Sequence, residues 1–252
     1  MSTYPRIALA AAAVAVLLTT AFIPSARAES ANSDPWERMN RKVFWFNDKM
    51  DTYALEPAAR GWDFIVPDLL ERAIDNFSNN LLMPLRLGNN LLQGKPRAAF
   101  DAVSRFILNS TLGMAGLFDP ATQVGLPEKP EDFGQTLGVW GVGPGPYLVL
   151  PFLGPSTVRD AGGYPVDWAM QVWPYFVGWR VTIPYRAGTL LNKRALLLEE
   201  IASAKKGAFD YYALVRNAYL QYREALITDS PEKKSEEQED LYYFDVEEDM
   251  EQ

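Results

Sequence analysis

Histidine and cysteine, the side chains best suited to nucleophilic, acid–base and metal chemistry near neutral pH, are both absent from the 252 residues. Ser-His-Asp and Cys-His catalysis, His/Cys zinc sites, haem ligation and disulfides drop out with them. The remaining candidates fail on spacing. Gly88 to Lys95 (GNNLLQGK) outlines a phosphate loop, but five residues separate its glycines and Pro96 stands where Ser or Thr must hold magnesium. Gly141, Gly143 and Gly145 give G-x-G-x-G, which is not the dinucleotide fingerprint. Ser203-Ala204-Lys205-Lys206 matches S-x-x-K without its companion motifs and reads as solvated helix surface. Asp132 and Asp160 are carboxylates that a hydrolase would use, yet no paired spacing supports them. Arg159-Asp160 suits either a headgroup or a local ion pair. No catalytic residue, metal ligand or cofactor is assigned, and the chain reads as a non-enzyme.

The most informative stretch carries no charge at all. Phe133 to Pro155 runs FGQTLGVWGVGPGPYLVLPFLGP, and ten of its 23 positions are glycine or proline. It is long enough to cross a bilayer but too broken to do so as a helix. It is also too apolar for an ordinary surface loop. Such backbone is tolerated beside lipid only where protein or a water-filled cavity satisfies its polar groups. A protein that handles something greasy is implied.

The ends differ in kind from the middle. Arg6, the uncharged run Ile7–Ile23, Pro24 and Ala26-Arg27-Ala28 form a secretory signal, with cleavage expected after Ala28 and an uncleaved anchor as the alternative. Export without cysteine suits a bacterial envelope. Residues 229–252 hold 11 acidic side chains against Lys233 and Lys234, a net −9 that leaves residues 1–228 near +1. This tail is expected to be disordered. No basic stripe invites nucleic acid. Residues 29–228 therefore form one domain.

Within that domain the pattern is mostly helical. Asp34-Pro35 is expected to open the first helix, with Asp34 as its cap. Trp36, Met39, Val43, Phe46 and Met50 make one apolar stripe behind it, with Phe44 and Trp45 off the stripe. Further helices are expected from Pro67-Asp68, across Leu85–Leu92, and from Gly94-Lys95-Pro96 to about Asn109–Gly113. A hairpin is expected at Gly143-Pro144-Gly145. A short helix capped by Ser156 should stop at Gly162-Gly163. Two helices over about 187–205 and 208–228 close the domain. Between Tyr164 and Tyr185 aromatics crowd together, either as core or as a belt at a lipid–water boundary.

Three segments then match one family in order: DPWERMNRKVFWFN (Asp34–Asn47), RFILNSTLGMAGLFDPA (Arg105–Ala121) and FGQTLGVWGVGPGPYLVLPFLGPSTVRDAGG (Phe133–Gly163), with VRNAYLQYR (Val215–Arg223) as a weaker fourth. The chain resembles the MlaA/VacJ family of outer-membrane phospholipid-transport proteins over roughly residues 34–228. The resemblance implies a mainly α, ring-like helical domain around an amphipathic channel, lying in the inner leaflet beside a trimeric porin. It implies a conduit that removes mislocalised phospholipids from the outer leaflet and passes them to a soluble periplasmic lipid carrier. Gly138, Gly141, Gly143, Gly145 and Pro146 would then be the hairpin that shapes or gates the channel, and Asn47 would belong to the segment holding the ring closed. Trp36, Trp45, Trp168, Trp173 and Trp179 would face the membrane interface. Family members carry a lipidated cysteine; this sequence has none, so attachment is expected from protein surface at the periplasmic face of the outer membrane. A structural adaptor docking on a porin without moving lipid is the rival reading.

Overall fold

The computed structural model describes residues 34–229. The expected signal peptide and acidic tail lie outside these residues except for Asp229, which pairs with Lys95 at 2.7 Å.

The first helix is longer than its pattern suggests. α1 (Glu37–Met50) runs into a π-helical turn (Asp51–Leu55) and straight on into α2 (Glu56–Ile65). Pro57 explains the wide turn: it lacks an N–H and crowds the carbonyl four residues back, and a π segment absorbs both defects without ending the helix. Asp34 does not cap α1, contrary to expectation. Trp36 occupies the cap position without a side-chain bond. The Asp34 carboxylate instead accepts from Asn40 Nδ2 at 2.9 Å and from the Tyr212 hydroxyl.

The next helices begin where proline allows. α3 (Asp68–Leu81) follows Pro67, α4 (Met83–Leu92) has Pro84 in its first turn, and α5 (Pro96–Thr111) starts on proline itself. α6 (Pro120–Gln123) is capped by Asp119 and α7 (Phe133–Val139) by Asp132, whose carboxylate accepts from Gln135 N–H at 2.8 Å. The uncharged run is thus helical for its first seven residues.

Four expectations need correction beyond α7. The hairpin exists, but its strands are β1 (Tyr147–Leu150) and β2 (Gly154–Thr157), antiparallel with Leu150 opposite Gly154. Its turn is therefore Pro151–Leu153, and Gly143-Pro144-Gly145 is the approach to β1. Thr157, not Ser156, caps the next helix, accepting from Asp160 N–H at 3.2 Å. That helix, α8 (Val158–Met170), runs through Gly162, Gly163 and Pro165 instead of stopping. After α9 (Pro174–Val177), α10 (Trp179–Leu196) begins eight residues earlier than expected and tolerates Pro184 inside it. It breaks at Leu197 before α11 (Leu198–Gly207), and α12 (Tyr211–Ile227) follows, capped by Asp210.

Packing from neighbour to neighbour closes a circuit. α1 lies on β1, β2 on α8, α8 on α4 and α7, α4 on α3, α3 on α10, and α10 on α2, which rejoins α1 through the π turn. α12 braces β2 and α7. Among the described residues the fold is a mainly helical ring with one two-stranded hairpin. Its apolar core is small: Tyr147, Val149 and Tyr212, with Val43, Phe44, Tyr219 and Leu220 packed around them.

Candidate functional site

The burial pattern is turned inside out. Among the described residues, more polar and charged side chains than apolar ones are buried, and several of the buried apolar ones are alanine. Large apolar side chains face outward instead. The apolar stripe of α1 is largely exposed: Trp36, Met39, Phe46 and Met50 are all exposed, Val43 is half-buried, and Trp45 is 62% exposed beside them. The side of α1 that turns inward carries Asn40, which is fully buried, together with half-buried Phe44 and Asn47. Phe64 at 90% exposure, Phe176 at 83% and Trp179 at 69% continue the apolar exterior on other helices. A monomer in water rarely exposes so many large apolar side chains, whereas a surface meeting lipid requires them. No described helix is long and apolar enough to cross a membrane.

Asn40 and Asn47 do what a third strand would do. Asn40 donates from Nδ2 to the Tyr147 carbonyl at 3.0 Å and accepts from Val149 N–H at 2.9 Å. Two helical turns on, Asn47 donates to the Leu150 carbonyl and accepts from Phe152 N–H, both at 2.9 Å. A carboxamide has the donor and acceptor of a peptide group, so each satisfies an edge of β1 that would otherwise be open. The second clamp holds the hairpin turn with Phe152 in the left-handed region at φ 64°, which a non-glycine residue rarely adopts unaided.

The predicted glycines divide by role. Gly138 lies inside α7 against Arg159 and Ile227, where a Cβ would come within 2.8 Å of the Ile227 side chain. Gly141 and Gly145 adopt left-handed φ of 89° and 65°, so both need glycine. Gly143 sits in open space. Pro146 and its neighbour Pro144 offer carbonyls to Val158 and Arg159 N–H at 3.2 Å, fastening the run to the start of α8. The structure therefore places these residues on the approach to the hairpin, with Asn47 at its tip. Of the five tryptophans expected at the interface, Trp36, Trp45, Trp168 and Trp179 are exposed, while Trp173 is half-buried edge-on against Tyr185 at 4.7 Å.

Buried charge ties the ring together. α7 and α8 cross glycine on glycine, Gly134 against Gly163, so closely that a Cβ on Gly163 would reach 2.7 Å from the Gly134 nitrogen. That approach lets Arg223 of α12 grip both helices, bonding Asp132 through both terminal nitrogens and Asp160 at 2.9 Å. Asp160 also accepts from Tyr219 hydroxyl at 2.7 Å and Arg159 Nε at 3.0 Å. Burial opposes charging Asp132 and Asp160, but Arg223, together with Gln135 at Asp132 and with Tyr219 and Arg159 at Asp160, outweighs it and holds both carboxyls below their ordinary range. Both are committed to structural partners, and Arg159-Asp160 is an ion pair within this network. A neighbouring carboxyl fares differently. Asp167 accepts from Phe133 N–H at 2.8 Å, yet burial, with the nearby Asp132 charge adding to it, pushes its pKa up to about 7.

A second joint holds the π turn. Arg194 of α10 bonds Asp51 at 2.6 and 3.1 Å and reaches Glu56 at 3.5 Å, while Lys205 of α11 bonds Asp48 at 2.8 Å and Asp51 at 2.9 Å. Asn40, Arg194 and Arg223 were not singled out by sequence reasoning. Two asparagines seven apart on one helix face were the available signal for the clamp.

A circuit of helices whose buried contacts are largely polar and whose exposed side chains include many large apolar ones has the character of a membrane-associated protein. The comparisons name the family. A family model described as MlaA lipoprotein matches residues 32–226. An Escherichia coli protein named intermembrane phospholipid transport system lipoprotein MlaA is 36% identical over 245 residues, covering 92% of this chain and 93% of its own. Its Haemophilus influenzae namesake is 33% identical, covering 82% and 84%. An uncharacterised Rickettsia bellii protein is 38% identical over 77% of this chain and 76% of its own. A solved chain from work on the structural basis for maintenance of bacterial outer membrane lipid asymmetry superposes with a TM-score of 0.69 at 36% identity, covering 78% of this chain and all of that one. The chain belongs to the MlaA lipoprotein family.

Proposed function

We propose that this protein is a phospholipid conduit of the bacterial outer membrane, drawing mislocalised phospholipids from the outer leaflet and maintaining lipid asymmetry. One observation carries the reading: large apolar side chains are exposed around the helices while the side chains buried between them are mostly polar. The magnitudes require such a device. Exposing the roughly 30 methylenes of two acyl tails at about 0.8 kcal/mol each would cost roughly 24 kcal/mol. A route that shelters tails while a headgroup passes polar groups removes most of that cost.

Membrane attachment in this reading comes from the exterior belt that includes Trp36, Trp45, Trp168 and Trp179, since the sequence contains no cysteine to acylate. One buried aromatic ring of about 150–250 Å² contributes a few kcal/mol at about 25 cal/mol/Å², so several together match a single acyl chain. The Gly138–Pro146 run and the hairpin clamped by Asn47 are the channel's gating element. A trimeric porin and a soluble periplasmic carrier are the protein partners, and the chain performs no covalent chemistry.

Deleting the protein should raise surface-exposed phospholipid and detergent sensitivity, and purified protein should carry co-extracted phospholipid in mass spectrometry. Unchanged outer-leaflet composition in the deletion strain would reject the conduit. Partner binding without bound lipid would favour an adaptor.

A further inference from the structure

The acids of α1 and of the π turn that follows it are all taken. Glu37 pairs with Arg41 at 2.7 Å, Asp48 with Lys205 at 2.8 Å and Asp51 with Arg194 at 2.6 Å. Three cations further round the helix are not. Arg38, Lys42 and Lys49 have no ion pair among the described residues. An ordinary solvated helix face sets acids three or four residues from its cations. Here Arg38, Lys42, Trp45, Lys49 and Tyr53 fall at i, i+4, i+7, i+11 and i+15, a row with no acid in it. Arg38, Lys42, Trp45 and Tyr53 are exposed, and half-buried Lys49 leans over the Tyr53 ring at 5.6 Å.

A second row lies beside the first, and it is apolar. Met39, Phe46 and Met50 are exposed, with half-buried Val43 among them. Phe46 meets Phe152 edge-on at 5.4 Å, so this row continues onto the hairpin turn, where Phe152 and Leu153 are both exposed. Hydrocarbon on one side of a helix, with cations and amphipathic rings on the next, makes an interfacial helix. The apolar row enters the acyl boundary, while Lys and Arg stems snorkel and Trp and Tyr sit at headgroup level. An acidic protein would complement the cations but leave the apolar row in water. From Arg38 to Lys49 the cations span about 16 Å along the helix, so they suit the many phosphates of a surface better than the phosphate of one bound lipid.

We propose that α1 lies in the membrane interface with Met39, Phe46 and Phe152 in the acyl boundary, and that Arg38, Lys42 and Lys49 select phospholipids of net negative charge over zwitterionic ones. This rests on the membrane attachment in the conduit reading and deepens it by naming the charge class of the lipid. Apolar insertion is one anchoring signal and the cationic row is the second, and stable attachment takes two.

The exported protein, purified in detergent, is diluted onto vesicles of phosphatidylcholine alone or mixed with phosphatidylglycerol, and the bound share is read by flotation. Each cation near an anionic surface is worth about fivefold in partitioning, so the triple variant Arg38→Gln, Lys42→Gln, Lys49→Gln should lose about a hundredfold on the mixed vesicles and nothing on the neutral ones. High salt should erase the parent protein's preference. The triple variant Arg97→Gln, Lys129→Gln, Lys206→Gln removes the same charge from exposed positions elsewhere and should change partitioning by less than about threefold. None of the six side chains has an ion pair among the described residues, so both variants should keep the fold. Equal partitioning of the parent protein into the two kinds of vesicle, or equal losses in the two triple variants, overturns the proposal. Phospholipid co-extracted with the protein would then leave the conduit standing while the cationic row falls. Failure to bind either vesicle overturns the proposal too, and with no co-extracted lipid it removes the conduit as well.

Discussion

Two arginines hold this ring at two places, and they do it in different company. Arg223 joins three regular helices, and each acid it grips has a second structural duty: Asp132 caps α7, and Asp160 lies in the first turn of α8 and takes the Tyr219 hydroxyl. Arg194 joins the irregular π turn to α10, and its main partner Asp51 is shared with Lys205 from α11. Asp160 is almost wholly buried, its side chain 2% exposed, while Asp51 keeps 20% exposure. Compared at Asp160 and Asp51, the same fork geometry serves as a buried knot in one place and a better-hydrated hinge clamp in the other, although Asp132 on the rim of the knot keeps 31% exposure. A charge pair's importance follows from what is left behind when it is broken.

The largest expected effect breaks the knot. Arg223→Leu takes the cation from part-exposed Asp132 and leaves buried Asp160 with Arg159 and Tyr219 alone, and should cost about 3 kcal/mol by chemical denaturation in detergent, enough to lower folded yield. Next comes Arg194→Leu. Lys205 still neutralises Asp51 and water reaches the site, so the loss should be about 1–3 kcal/mol. That variant should stay folded while amide exchange in residues 48–56 rises. Equal losses in the two variants would erase the distinction between knot and clamp.

The asparagine pair extends the same contrast. Asn40→Ala orphans a buried carbonyl and a buried N–H of β1 and should cost about 2 kcal/mol, whereas Asn47→Ala, at the half-exposed hairpin tip, should cost about 1 kcal/mol. If Asn47 holds the gate, its removal should also raise lipid passage out of proportion to that small loss, measured as surface phospholipid in complemented cells.

Acid and base should then pull the knot's neighbourhood in opposite senses. Asp132 and Asp160 have folded-state pKa values below their ordinary range, so the stability they add is present above about pH 4 and fades as pH falls further. Asp167 behaves in reverse. The folded state keeps its proton up to about 7 while the unfolded chain releases it near pH 4. Stability should therefore decline as pH rises through that interval and level off above it. Asp167→Asn keeps an acceptor for Phe133 N–H, should flatten the decline, and should gain about 1–2 kcal/mol at pH 8. A variant with the parental pH slope would remove Asp167 as its source.

Much of this architecture was legible in the residues, and the failures have common causes. Pro67, Pro84 and Pro96 mark helix starts because proline's missing donor is harmless only there. The stripe on α1 was equally visible, but periodicity reports that a helix has an apolar side and is silent about what that side meets. Here that side is largely exposed, so the usual inference from apolar to inside fails. Gly143-Pro144-Gly145 had turn composition yet is not the turn, because Asn47, more than a hundred residues away in sequence, holds Phe152 in a conformation its own type disfavours. Pro57 was overlooked because the π turn that accommodates it leaves no compositional trace. The buried polar interior left none either: an asparagine or arginine in a helical pattern looks the same facing water as facing another helix.

A third arginine provides the control for the comparison. Arg41 on α1 grips Asp210 at 2.6 and 3.2 Å, bonds Glu37 at 2.7 Å, and lies 4.4 Å over the Tyr212 ring, a denser set of contacts than Arg194 has. Its side chain is 42% exposed, however, and Asp210 is 35% exposed. If contact geometry determined stability, Arg41→Leu would rank with the other two. If the burial of what is left behind determines it, Asp210 simply rehydrates, continues to cap α12 through Ala213 N–H, and the loss stays below about 1 kcal/mol. Raising salt should shrink even that difference, since exposed pairs are screened and buried ones much less so. A loss near that of Arg223→Leu, insensitive to salt, would mean that the α1–α12 contact is a third knot, and that the ring closes there as firmly as at α7 and α8.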